Sequence, residues 1–252
     1  MNNYPKISVI TVCYNADNTI EETIKTVIDQ DYSNYEYIII DGGSNDSTVK
    51  IIDKYKDRIA FFVSERDDGI YDAMNKGFNH STGEWVIYVN SGDGFYDNMA
   101  LTHLVKDKNI TEYDIVYGDA IGVDSNGKEI LRKATDIIPS FREIPSFRHG
   151  AAIMKKTSMP KPPFQIERKD FGFALDTNLI FQMIHDGKKF THTNAVILKY
   201  VIEGVSNNQL AQAKYDYKIF TQYGFRIIPF VQYIKSYLFQ HIKKTLVSLK
   251  IY

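Results

Sequence analysis

With 252 residues, 44% hydrophobic and 24% charged, the chain is long enough to bury a sizeable core and too apolar to be disordered. A formal net charge of -1 argues against nucleic acid as a partner, and a single cysteine, Cys13, excludes an internal disulfide and a cysteine-based zinc site. Met1 to Lys6 lacks the basic-then-apolar pattern of a signal peptide, and no uncharged apolar run of about 18 residues occurs, so a cytoplasmic protein without a membrane span is expected.

The first hundred residues alternate strand and helix. Ile7 to Tyr14 reads as a buried strand, and Ala16 to Gln30 as a helix with apolar positions Ile20, Ile24, Val27 and Ile28. Tyr35 to Ile40 is a second strand, and Ser47 to Tyr55 a second helix that Ser44 or Asp46 can cap. Strand 60–63, helix 70–79, strand 85–89, helix 98–107 and strand 114–117 follow. Strands separated by helices of this length predict parallel pairing and a doubly wound α/β sheet.

The pattern changes after residue 119. Asp124-Ser125-Asn126-Gly127 is a turn signal between short extended segments, and five of the seven prolines fall between Pro139 and Pro163. A helix resumes at Phe173 to His185, followed by an extended Lys189 to Val201. These features predict a domain over residues 1–210, with a nucleotide-binding half (1–119) and an acceptor half (120–210), and a helical, basic and aromatic extension over 211–252. From Tyr217 onward there is no Asp or Glu, but there are five Lys, one Arg and nine aromatics. Val231, Ile234, Leu238, Ile242, Leu246 and Leu249 recur at helical spacing, among Lys235, Lys243, Lys244 and Lys250. Such a helix suits an anionic membrane surface, or packing on its own domain or a second subunit.

Two strands end abruptly in small and acidic residues: Ile38-Ile39-Ile40-Asp41-Gly42-Gly43-Ser44, and Trp85 through Val89 followed by Asn90-Ser91-Gly92-Asp93. Ligands of open α/β sheets bind beyond such carboxyl ends. A carboxylate there can hold a divalent cation, and the cation a diphosphate. Tyr14 and Asn15 offer a flat ring and an amide to a base. Asp41 could accept from a base N–H or a ribose hydroxyl, or could simply close an Asx turn with Gly42 and Gly43. Asp67, Asp72 and Asn75 concentrate polarity at the start of the third helix, more than a capped exposed helix requires.

Four segments together resemble the family 2 glycosyltransferases of the GT-A fold, in the branch that makes bacterial surface polysaccharides. They are Ser8-Val9-Ile10-Thr11-Val12-Cys13-Tyr14-Asn15, Ile40 through Thr48, Asp67-Asp68-Gly69-Ile70-Tyr71-Asp72-Ala73-Met74-Asn75-Lys76-Gly77, and Thr82 through Asp93. The resemblance implies an inverting transfer of a sugar from a nucleotide-diphosphate donor, most often a UDP-sugar, to a saccharide or lipid-linked acceptor. It places Thr11, Tyr14, Asn15, Asp41, Gly43, Asp67, Asn90 and Ser91 around the nucleotide. It also makes Asp93 the ligand of a Mn2+ or Mg2+ cofactor. The family's motif usually carries three carboxylates, and here only Asp93 remains. By the same likeness Asp176 is the base, against the plainer reading of an aspartate at a helix start. His149 is placed near the diphosphate or acceptor, and 202–207 forms a loop able to close over the donor. The expected location is the cytoplasm, peripheral on the inner face of the cell membrane. A dinucleotide-dependent oxidoreductase is disfavoured because Thr11 through Ala16 contains no glycine. The remaining alternative is a catalytically inactive, glycosyltransferase-like binding subunit.

Overall fold

The computed structural model describes residues 4–106, 109–135, 147–202 and 209–224. Among these residues the strands are β1 (Ile7–Cys13), β2 (Tyr35–Asp41), β3 (Phe61–Ser64), β4 (Trp85–Tyr88), β5 (Gly94–Phe95), β6 (Ile115–Val123), β7 (Glu129–Arg132), β8 (Ala152–Lys155) and β9 (Phe190–Val201). The helices are α1 (Ile20–Ile28), α2 (Thr48–Asp53), α3 (Ile70–His80), α4 (Ala100–Lys106), α5 (Leu175–His185) and α6 (Gln209–Gln222). All nine strands join one mixed sheet in the order β3-β2-β1-β4-β8-β6-β9-β5, with β7 paired to β6.

Parallel pairing holds from β3 through β4, where helices supply the crossovers that parallel neighbours require. The second half attaches through β8, which is antiparallel to both β4 and β6. β7 returns antiparallel on β6 because the Asp124–Gly127 turn is too short for a crossover; Asp124 Oδ1 accepts from the N–H groups of Asn126 and Lys128, both at 2.9 Å. β9 runs parallel to β6, and β5 antiparallel to β9.

Alternation along the strands divides the core between two faces. Ile7, Val9, Ile39 and Ile87 pack with Ile20, Ile24 and Val27 of α1 and Leu101 and Leu104 of α4. Ile10, Val12, Ile38 and Val86 pack with Met74 and Phe78 of α3, Leu179 and Met183 of α5, and Ile219 and Phe220 of α6. Glu36 ties the sheet's lower end by accepting from Ser8 Oγ (2.6 Å), Thr82 N–H (2.6 Å) and Lys6 (2.8 Å).

α1 begins four residues later than the periodicity predicts. Residues 16 and 17 are held by the next loop: Ala16 N–H donates to Thr48 Oγ1 (2.7 Å) and Asp17 N–H to Asp46 Oδ2 (3.2 Å). Asp46 also caps α2, accepting from Thr48 N–H at 2.9 Å. The 211–252 extension starts within α6, whose Phe220 ring lies 4.5 Å from Phe181 of α5. The amphipathic stretch from Pro229 onward, with its membrane expectation, and loop residues 203–207 lie outside the described residues. No helix among the described residues is long and apolar enough to cross a membrane.

Candidate active site

The C-terminal ends of β1 to β4 form one crest. Asn15 turns the chain there with φ +47°, a left-handed conformation that asparagine tolerates better than most residues. Its N–H donates to Ser44 Oγ (2.7 Å), and its Oδ1 accepts from Asn45 N–H (3.0 Å). Asp41 is fully buried. It accepts from Ser44 N–H (2.9 Å), Ser44 Oγ (2.5 Å) and Ser64 Oγ (2.5 Å), with the Cys13 thiol at 3.6 Å. Gly43, at φ +79°, completes this turn. Asp41 thus closes the turn through its side chain, and both of its oxygens have partners within the chain. Thr11 lies beneath the crest. Its buried hydroxyl donates to Val89 O (2.7 Å) and lies 3.0 Å from Tyr37 Oη.

Tyr14 and Asp67 do come together. Tyr14 is 62% exposed, and a Cβ added at Gly42 would sit 3.4 Å from its ring and 3.1 Å from Asp67 Oδ2. Only glycine leaves that gap open. Asp67 Oδ1 is held by Lys76 at 2.5 Å, and burial pushes the carboxyl pKa upward against the pull of Lys76. The polar start of α3 is thereby explained. Lys76 also bridges Glu65 (2.8 Å) and Asp72 (3.6 Å), Asp72 accepts from Asp68 N–H (3.1 Å), and Asn75 clamps Phe164 through both its carbonyl (2.7 Å) and its N–H (3.1 Å).

Beyond β4, residues 90–93 are sewn to α1 by threonines. Ser91 Oγ lies 2.9 Å from Thr19 Oγ1, Gly92 N–H donates to Thr23 Oγ1 (3.1 Å), and Thr23 Oγ1 donates to Asp93 O (2.6 Å). Asn90 Oδ1 is buried without a hydrogen-bond partner. Burial pushes the Asp93 carboxyl up to about 7, with the Arg148 charge acting in the opposite direction. Among the described residues no three His, Cys, Asp or Glu side chains gather as a ready metal cluster.

On the far wall, His149 stacks on Tyr88 (5.2 Å between centroids, 22° between planes). Gly150 permits this, since a Cβ there would meet Tyr88 O at 3.1 Å. Burial lowers the His149 pKa and Arg148 adds to that, while Asp176 opposes it. Asp176 lies in the first turn of α5. Its Oδ1 receives Thr177 N–H (2.8 Å) and has Tyr71 Oη at 3.3 Å. Tyr71 donates more closely to Phe173 O, at 2.6 Å.

A family model described as glycosyl transferase family 2 matches residues 8–171. The chain belongs to glycosyl transferase family 2. An uncharacterized glycosyltransferase of Mycobacterium tuberculosis is 38% identical over 96 residues, which span 38% of this chain and 37% of that protein. A PGL/p-HBAD biosynthesis glycosyltransferase of Mycobacterium bovis is 28% identical over 128 residues, 48% of this chain and 49% of that one. The chain thus matches less than half the length of these relatives. Among solved structures, the mannosyltransferase PcManGT from Pyrobaculum calidifontis, in complex with GDP-Man and Mn2+, aligns over 95% of this chain and 71% of its own (TM-score 0.68, 18% identity). S. aureus TarS 1-349 in complex with UDP aligns over 86% and 72% (TM-score 0.59, 17% identity). The fold is GT-A.

Within this family 2 domain, three residues make contacts to which the sequence assigned no role. Tyr71 reads as packing from its periodicity. Arg148 is exposed, close enough to Asp93 to oppose its rise, and stacked 4.1 Å over the Tyr200 ring. Asp216 of α6 bonds Gln212 Nε2 (2.7 Å); burial pushes it up to about 6, Gln212 opposing and Asp176 adding. Only contact across the sheet reveals them, because each depends on a partner distant in sequence or in a helix without a motif.

Proposed function

We propose that this chain transfers a sugar from a nucleoside-diphosphate donor, a UDP-sugar by first preference, to a hydroxyl of a saccharide or lipid-linked acceptor. Transfer proceeds with inversion, in surface-polysaccharide synthesis. The observation that carries this reading is the convergence, along one end of the parallel strands, of the Tyr14–Asp67 cleft, the Asn90–Asp93 corner and Asp176. That is where an open α/β sheet binds ligands. Family membership and the nucleotides held by TarS and PcManGT support the donor class.

Tyr14 and the free side of Asp67 receive the base, and the open backbone at Gly42 and Gly43 lets it approach. A hard divalent cation takes oxygen ligands, and the Asp93 carboxylate and the orphaned Asn90 Oδ1 are the side-chain oxygens that residues 90–93 would offer it in place of the two missing motif carboxylates. When bound, Mn2+ or Mg2+ supplies positive charge against the departing diphosphate. Arg148 adds a second positive group on the same side. Asp176 takes the proton from the acceptor hydroxyl as the new glycosidic bond forms and the bond to the diphosphate breaks. Both hydrogen bonds described for Asp176 fall on Oδ1, and Oδ2 is the oxygen we assign to the acceptor's proton. The basic, aromatic stretch after Pro229 rests the enzyme on the anionic inner face of the cell membrane, within reach of a lipid-linked acceptor.

Calorimetry with UDP, GDP and dTDP, with and without Mn2+, tests the donor class. Selective, manganese-enhanced binding of one nucleotide is expected. Binding of none favours an inactive subunit, or a donor pocket that forms only with acceptor or membrane present. The anomeric configuration of the product, read by NMR, tests inversion, and a retained configuration rejects Asp176 as a base.

A further inference from the structure

Arg148 is exposed, and its guanidinium makes no hydrogen bond or ion pair among the described residues. It lies instead over the Tyr200 ring, 4.1 Å from Cζ to the ring centroid. A planar fork of five N–H donors is thereby held in place without a protein acceptor.

The turn that carries it is fixed by its neighbours. Ala151 N–H closes on Arg148 O at 2.8 Å, and His149 stacks on Tyr88. Gly150 fits between Tyr88 O and Leu198, where a Cβ would stand 3.1 Å from each. Tyr200 lies on β9, and Gly122 of β6 makes room for its ring, since a Cβ there would meet Tyr200 Cζ at 3.0 Å.

The same strand brings in Asp93. β5 pairs with antiparallel β9 through Gly94–Lys199 and Phe95–Leu198, so the next step of that register sets Asp93 against Tyr200. Directly opposed residues of an antiparallel pair share one face. The Arg148 charge is felt at Asp93, yet the two form no ion pair, because the stack on Tyr200 keeps the guanidinium to one side. This corner therefore offers an oxygen ligand for a cation and, beside it, an exposed cation with an open fork. A diphosphate uses both, since its oxygens can bind a metal on one side and a guanidinium through paired hydrogen bonds on the other. Residues 90–93 carry one carboxylate, which alone holds a divalent cation loosely. The guanidinium is permanently charged and needs no metal.

We propose that Arg148, laid out on Tyr200, grips the donor's diphosphate directly and supplies a metal-independent share of donor binding. This inference rests on the glycosyl-transfer reading and deepens it. It separates what the chain itself contributes to diphosphate recognition from what a cation adds.

The test titrates the full chain by calorimetry with UDP and UMP, in chelator and then with Mn2+. Where the donor screen selects GDP or dTDP, GMP or dTMP replaces UMP. The paired nucleotides share base and ribose, so their difference isolates the second phosphate. In chelator the parent should prefer the diphosphate by about tenfold. Arg148→Gln should lose that preference, and Arg148→Lys, which keeps the charge without the fork, should fall between. Mn2+ should raise diphosphate affinity in all three proteins, because the cation acts through Asp93. An Arg148→Gln protein that melts like the parent and keeps its diphosphate preference in chelator overturns the proposal. So does a parent that shows no such preference until Mn2+ is added. If the parent binds no nucleotide in any condition, the failure lies with the glycosyl-transfer reading and the proposal falls with it. That outcome is distinct from a silent Arg148→Gln in a nucleotide-binding parent.

Discussion

Replacing Asp93 by Asn should stabilise the ligand-free protein while weakening its function. Burial pushes this carboxyl from its ordinary 3.8 to about 7, so the folded chain holds the proton to higher pH than the unfolded chain does. The carboxyl is least costly to the fold below about pH 3.8. Its contribution declines as pH rises, and the full penalty is reached once pH passes about 7. Fully expressed, that gap corresponds to about 4 kcal/mol. The Arg148 charge is already contained in that value, and the site's partial access to solvent reduces the expected figure to about 2 kcal/mol. For a chain of this size, each kcal/mol moves Tm by about 2–4 °C, so Asp93→Asn should melt about 4–8 °C above the parent at pH 8 in chelator, and much closer to it at pH 5. The assay is a pair of thermal melts at the two pH values. With Mn2+ and nucleotide added, the order should reverse, because only the parent gains from the ligands. A Tm difference equal at pH 5 and pH 8 would refute the argument, since it would mean that Asp93 ionises in the fold as it does in water.

The same carboxyl must be ionised to take a cation, so manganese-supported nucleotide affinity should rise by about fivefold between pH 6 and 7 and level off above pH 8; a flat profile in calorimetry contradicts this. Asp176→Asn should abolish transfer and leave nucleotide affinity within about twofold, with substantial residual turnover excluding it as the base. Asn75→Ala leaves the N–H and C=O of Phe164 unpaired in a buried position and should cost about 2–4 kcal/mol in denaturant unfolding, an unchanged midpoint counting against the clamp. Deleting residues 229–252 should release the protein from anionic vesicles in a flotation assay while nucleotide binding persists, and undiminished flotation would move the lipid contact elsewhere.

The strands and helices of the first half were legible because hydrophobic periodicity reports burial directly, and Ile7 through Cys13 is buried at every position. Periodicity says nothing about what a polar side chain faces. Thr11 and Asp41 stand at positions where a ligand contact and an internal hydrogen bond require the same residue type, and their internal partners, Tyr37, Ser44 and Ser64, could not be read from the sequence. The crowded polarity of α3 likewise hid its internal partners: Lys76 holds Asp67, and Asn75 fastens Phe164. The second half was harder to read, because antiparallel β8 and the turn carrying His149 are set by contacts with β4 and β6 that no local motif encodes. α6 begins beyond the resemblance, and with it Asp216.

Tyr71 belongs to the first turn of the helix that follows the Asp67 loop, yet its hydroxyl holds the backbone of Phe173 and approaches Asp176. The helix of Tyr71 therefore ties the Asp67 loop to the start of α5, two segments distant in sequence. If Asp67 holds the donor and Asp176 takes the acceptor's proton, as proposed above, this tie predicts ordered binding, donor before acceptor, and random order in initial-rate kinetics would count against it.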